Sequence, residues 1–157
     1  MKRSRTLWVL VVFFAWATLK SAGAIYWAES ATDYALLSSL GLGVVFYGTS
    51  VPLLLGEAAT AFLLFKQKAR AYVVGFVVVV AESVNGVLTS AIAALHSDTA
   101  KALYVASREA RGMTVRQESE LGFMFSPMGI GLMALAYVAF WALVFYYIRR
   151  VKAELVR

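Results

Sequence analysis

Cysteine is missing from all 157 residues, histidine occurs once, as His96, and proline occurs twice. Without thiols the chain has no disulfides, no thiolate-bound metal and no lipidated cysteine. A single histidine with no second histidine or cysteine is a poor basis for a zinc site or an axial haem ligand. Charge is scarce as well: Asp, Glu, Lys and Arg make up 15% of the chain, where a soluble domain carries about a quarter. No GxSxG, HExxH or phosphate-cradling glycine loop appears, and the Glu-x-x-His motif of carboxylate-bridged metal bundles is missing too. These absences argue against an enzyme and suggest neither a metal nor another cofactor.

What fills the chain is apolar. Hydrophobic residues account for 61% of it, and the mean hydropathy is +0.73. Apolar stretches of 18 or more residues with few charges read as membrane-spanning helices. Four such spans are expected, at about 7–28, 36–65, 71–95 and 123–148. Little chain is left over, so the expectation is an all-α protein: one integral membrane domain over 1–157, a bundle of four transmembrane helices. The lipid bilayer is its first partner. The net charge of +6 does not call for nucleic acid, because the basic residues gather at helix ends.

Their distribution sets an orientation, since Lys and Arg resist translocation. Lys2, Arg3, Arg5, Lys66, Lys68, Arg70, Arg149, Arg150, Lys152 and Arg157 fall on one side, and Lys101, Arg108, Arg111 and Arg116 on the other. Both termini are therefore expected in the cytoplasm, with the protein in a bacterial or archaeal cytoplasmic (inner) membrane. The outer loop, 96–120, contains "SDTAKALYVASREARG", which predicts one short extracytoplasmic helix between the third and fourth spans. Ser97 or Asp98 would cap its start, and Gly112 suits the left-handed position after its end. The fourth helix has two possible starts. "TVRQ" at 114–117 resembles a capping box, and Ser126–Pro127 matches an N-cap followed by proline at the first helical position.

Three ionisable residues lie within the spans: Lys20, Glu57 and Glu82. Charges at such depth usually face the bundle interior or a water-filled cavity. At 100° per residue, Glu82 shares a face with Gly75, Asn85, Gly86, Thr89 and Ala93. The opposite face is Val73, Val77, Val80, Val84, Val87, Leu88 and Leu95. Small and polar residues on one side place Glu82 against protein and the branched ones against lipid. Near Glu57 the pattern is less clean, with Ser50 and Thr60 but also Phe46, Leu53 and Leu64. Pro52 is expected to kink this long span, since it cannot donate to the Gly48 carbonyl. Counting 1.5 Å per residue from the cytoplasmic ends puts Lys20 and Glu82 within one helical turn in height. They either form a buried ion pair or Lys20 snorkels to the outer interface near Tyr26. Glu57 has no obvious cation, and is either an unpaired proton-binding group or neutral and bonded to a serine or backbone carbonyl.

The intramembrane polar cluster is thus Lys20, Glu57, Glu82, Asn85 and Ser50. The function expected from it is that of a small transporter- or channel-like oligomer for protons, ions or a small solute. Glu82, Asn85 and Lys20 would form the central group, with Glu57 as a proton acceptor nearer the cytoplasm. Self-association would use Ser39, Gly43 and the Gly86–Ser90–Ala94 stripe. The alternative is an assembly subunit whose polar residues only lock helices to each other or to a membrane protein partner.

"MKRSRT", a 13-residue apolar core and "AGA" at 22–24 also resemble a cleavable signal peptide. Apolar character resumes at Ile25, Tyr26 and Trp27, so the first span is expected to be retained. Intact-mass measurement of the purified protein should return the full 17.2 kDa; a mass lacking residues 1–24 would leave three spans.

Overall fold

The computed structural model describes residues 4–155, and within them every regular element is helical. The α-helices are α1 (Arg5–Tyr26), α2 (Thr32–Ser39), α3 (Gly43–Phe65), α4 (Arg70–Leu95), α5 (Ser97–Ala110), α6 (Glu118–Met124) and α7 (Pro127–Arg150). Four of them, α1, α3, α4 and α7, are long and apolar enough to cross a membrane. They pack as a ring: α1 on α3, α3 on α4 and α4 on α7, with a smaller contact from α7 closing the ring onto α1. Lys2, Arg3 and Arg157 lie outside the described residues.

The two ends of the ring differ. At the terminal end, the start of α1, the α3–α4 turn and the chain after α7 are tied together. The Ser4 amide donates to Glu154 Oε2 at 3.0 Å, and Gln67 Nε2 donates to the Glu154 carbonyl at 3.4 Å. Lys152 lies 4.5 Å from the Tyr72 ring centroid. At the other end α2 packs on α3 and α5 lies on α2. Ser107 of α5 donates to the Ser30 carbonyl at 2.9 Å, and Lys101 pairs with Glu118.

Faces follow the sequence periodicity closely on α4. All seven residues assigned to the lipid side, from Val73 to Leu95, are exposed, whereas Ala71, Gly75, Val78, Val79 and Glu82 are buried. Leu7, Leu10 and Phe14 of α1 meet Leu64 of α3, Val78 of α4 and Val144 and Ile148 of α7 in one apolar core. That core occupies the terminal half of the ring.

One expected helix boundary changes and another is decided. The expected 36–65 span is two helices, because α2 ends in a glycine-terminated hairpin. Gly41 takes φ +74°, the Leu42 amide reaches back to the Leu37 carbonyl at 2.7 Å, and the Gly41 amide bonds the Ser38 carbonyl at 3.0 Å. This is the Schellman arrangement, which satisfies end carbonyls by turning the chain left-handed. "GLG" at 41–43 is therefore a stop signal, and the crossing helix keeps 23 residues. Pro52 lies inside α3, which continues through it unbroken. Of the two possible starts of the fourth span, Ser126–Pro127 is the one used: α7 starts at Pro127, with Ser126 Oγ accepting from the Gly129 amide at 3.0 Å, and α6 precedes it as a separate helix.

α5 covers the segment expected to be helical, with Gly112 at φ +65° after it, and α6 adds a second short helix where one was expected. The start of α5 differs. Neither Ser97 nor Asp98 caps it, because the helix already begins at Ser97, leaving His96 as a cap without a side-chain hydrogen bond.

The α6–α7 turn sets a steric requirement. A Cβ on Gly129 would sit 2.0 Å from the Phe123 carbonyl oxygen, a backbone atom that cannot swing aside, whereas one on Gly131 would meet nothing within 4 Å. Gly129→Ala should lower stability by about 1–3 kcal/mol, visible as a fall in apparent Tm in detergent. Gly131→Ala should leave Tm level or raise it, because alanine is the better helix former.

Candidate functional site

Glu57 and Glu82 are both buried, at 2% and 7% exposure, on the neighbouring helices α3 and α4. An ionised carboxylate without partners would not be stable in such a setting, and each has one. Ser21 of α1 donates to Glu57 Oε2 at 2.7 Å. Tyr137 of α7 donates to Glu82 Oε2 at 2.6 Å. The acids thus tie α3 to α1 and α4 to α7. They also interact electrostatically with each other, and Lys20 acts on Glu57.

Local sequence makes these bonds possible. Gly86 lies one turn beyond Glu82 on the same face of α4, and the Tyr137 ring crosses directly over it. A Cβ there would come within 2.3 Å of Tyr137 Cδ1 and Cε1. Gly86 is therefore covered by the chain's own α7, not available to a second copy as expected. Gly56 allows the same closeness between α3 and α4, since its Cβ would meet Val78 Cγ2 at 2.7 Å. The hydroxyls of Thr60, Ser83 and Thr89 bond carbonyls of their own helices at 2.8 Å and join nothing across the bundle.

Lys20 differs from the expected buried pair. The described residues contain no ion pair between Lys20 and Glu82, and the donor at Glu82 is Tyr137. Lys20 is exposed, yet it lines the same cavity as both acids. Its charge reaches Glu57 on one side and Asp33 on the other. Burial pushes the Asp33 carboxyl above its ordinary range, while Lys20 pulls it back; much of the rest of that residue stays exposed.

Two adjoining cavities meet at Glu82. One, of about 160 Å³, extends toward α2 and is lined by Asp33, Thr49, Ser50, Asn85 and Thr89. The other, of about 300 Å³, lies between α1 and α7, where Lys20, Glu57 and Glu82 share the wall with Phe13, Trp16, Tyr137 and Trp141. Ser21, Ala24 and Glu82 line both. Polar lining therefore runs from the α2 end to the middle of the ring and stops at the apolar core of Phe14, Leu10 and Leu64. All five residues of the expected cluster lie on this path, Ser50 and Asn85 in the first cavity and Lys20 and Glu57 in the second.

The path also contains residues the sequence reading passed over. Ser21 lies beside Lys20 in an apolar helix. Tyr137 and Trp141 lie far from either end of α7, where interfacial aromatics do not belong. Their spacing with Val144 and Ile148 marks the inward stripe, so a hydroxyl on that stripe was a usable signal. Trp141 is 4% exposed, and its Nε1 is the one buried side-chain polar atom without a hydrogen-bond partner among the described residues. The Tyr137 hydroxyl is close enough to interact with it, but the geometry does not make a hydrogen bond.

The described residues hold no group of three His, Cys, Asp or Glu side chains that could bind a metal ion. What the arrangement offers is two neighbouring acids, each with one hydroxyl donor, beside cavities wide enough for water or a small ligand.

Tyr137→Phe removes the donor from Glu82 without changing ring volume. Hydrogen bonds to charged groups contribute about 1.5–3 kcal/mol, so a double-mutant cycle of Tyr137→Phe with Glu82→Gln should give a coupling of about 1 kcal/mol or more in detergent unfolding. Additive effects would show that the contact contributes nothing. No protein-family model, curated protein or solved structure matches this chain.

Proposed function

We propose that the protein is a small membrane transporter that moves protons or a small solute through the ring, with Glu82 and Glu57 as the groups that bind and release the cargo. The observation that carries this proposal is the one-sided polar path. Asp33, Asn85, Ser50 and Glu82 line it from the α2 end, and the Leu10–Phe14–Leu64 core closes it toward the terminal end. A site near the midplane, reached from one side and sealed from the other, is the resting arrangement alternating access requires. Intramembrane acids facing a cavity are typical of proton relays.

In this proposal both termini lie in the cytoplasm of a cell whose inner membrane holds the protein, and α5 lies outside, as the basic residues at the terminal end favour. The cavity is then open outward. Inward opening requires the α1–α3 and α4–α7 pairs to separate across the core, because the smallest contact in the ring is that between α1 and α7. A pair of chains would give these four helices the support to do so. The competing proposal, an assembly subunit, draws on the same two hydrogen bonds as helix ties.

Proteoliposomes of wild type, Glu57→Gln and Glu82→Gln separate the two. Transport predicts dissipation of an imposed pH or solute gradient by wild type, with a rate at least roughly tenfold lower in each variant, a loss of about 1.4 kcal/mol. Flux no greater than that of empty liposomes, for protons, alkali cations and a panel of small solutes, overturns it. A foreign membrane protein copurifying in fixed stoichiometry would then support the assembly role.

A further inference from the structure

We propose that the 300 Å³ cavity between α1 and α7 binds a monovalent organic ammonium ion that carries a hydrogen-bond acceptor. This names the substrate class of the site above and rests on the transport proposal only for the movement of the bound ion.

Four observations converge on that chemistry. The cavity is at the small end of the range for organic ligands. Its charged lining is two acids and one lysine, so with both acids ionised it is net negative with or without Lys20 and favours a cation over an anion. Ser21 and Tyr137 each donate to one oxygen of an acid, and among the described residues no other hydroxyl donates to either carboxyl. The remaining wall is aromatic, with Phe13, Trp16, Tyr137 and Trp141, and ring faces attract alkylated ammonium groups without requiring them to keep a hydration shell. A hydrated inorganic ion gains little from such walls.

The acceptor follows from Trp141. Its buried Nε1–H has no hydrogen-bond partner among the described residues, only the nearby Tyr137 hydroxyl, an arrangement that disfavours the empty state. An oxygen on the ligand, placed beside the Tyr137 hydroxyl, completes it. Lys20 serves as the counterion of the empty cavity. It is exposed and long enough to leave when the ammonium enters. A zwitterion fits less well, because its own anion would face a wall that is already net negative.

Isothermal titration of the full chain in a non-ionic maltoside micelle tests this with choline as probe. The comparison ligands are its neutral isostere 3,3-dimethyl-1-butanol, the acceptor-free tetramethylammonium, and glycine betaine as the zwitterion. Choline should bind, and the neutral isostere and betaine should bind at least roughly tenfold more weakly. Glu82→Gln should weaken choline by about the same factor, and Lys20→Gln should tighten it, an effect that misfolding cannot imitate. Trp141→Phe should bring choline to the affinity of tetramethylammonium without changing the latter. Equal binding of choline and 3,3-dimethyl-1-butanol, no binding of any ammonium at millimolar concentration, or unchanged affinity in Glu82→Gln overturns the site. Choline binding without flux in liposomes overturns transport alone, and proton flux without ammonium binding overturns this proposal alone.

Discussion

Two carboxyl groups cannot be placed inside an apolar helical ring unless something there interacts favourably with them. An ion taken from water into a medium of low dielectric loses several kcal/mol of solvation even after relaxation. Ser21 and Tyr137 offset part of that loss, each from a different helix. Because both donors come from across the ring, the requirement for partners also specifies helix neighbours: α1 must face α3 and α7 must face α4. The glycines at 56 and 86 follow from the same need, since the hydrogen bonds form only where backbones and rings can approach closely. Helix association in lipid depends on such packing and polar contacts, there being no hydrophobic effect between helices already surrounded by hydrocarbon.

The same constraint divides the ring into two halves. Toward the termini, large side chains from all four long helices close the interior, and the loops are tied together through Glu154. Toward α2, the interior opens into two cavities that meet at Glu82, the second of which is also lined by Glu57. The hairpin at Gly41 matters here, because it turns α2 back onto α3 and brings Asp33 to the polar path, where a straight helix would have carried it away.

How much of the site was legible depended on whether one helix or two carried the information. The face of Glu82 was readable because every residue defining it belongs to α4, and helical geometry alone decides which side chains share a stripe. Asn85 and Ser50 were found by the same reasoning. The proposed Lys20–Glu82 pair failed because height along two helices says nothing about rotation between them. Tyr137 approaches Glu82 over Gly86, while Lys20 stands on the cavity rim within reach of two other acids. For Glu57 a serine partner was legible as one of two readings, but which serine, Ser21, depended on how α1 packs on α3.

Composition and periodicity by themselves determined that this chain makes four long apolar helices, that α4 turns its acid inward, and that a helix interrupts the loop before the last span. Those outcomes depend on local geometry and on the transfer free energy of side chains, both of which are written along one strand of residues. Which hydroxyl meets which acid, where the second span breaks into two, and that Trp141 keeps an unmatched donor beside the cavity were decided only by tertiary structure. Each is a matter of distance between helices, and the rotation and offset of packed helices come from the fit of all their side chains together.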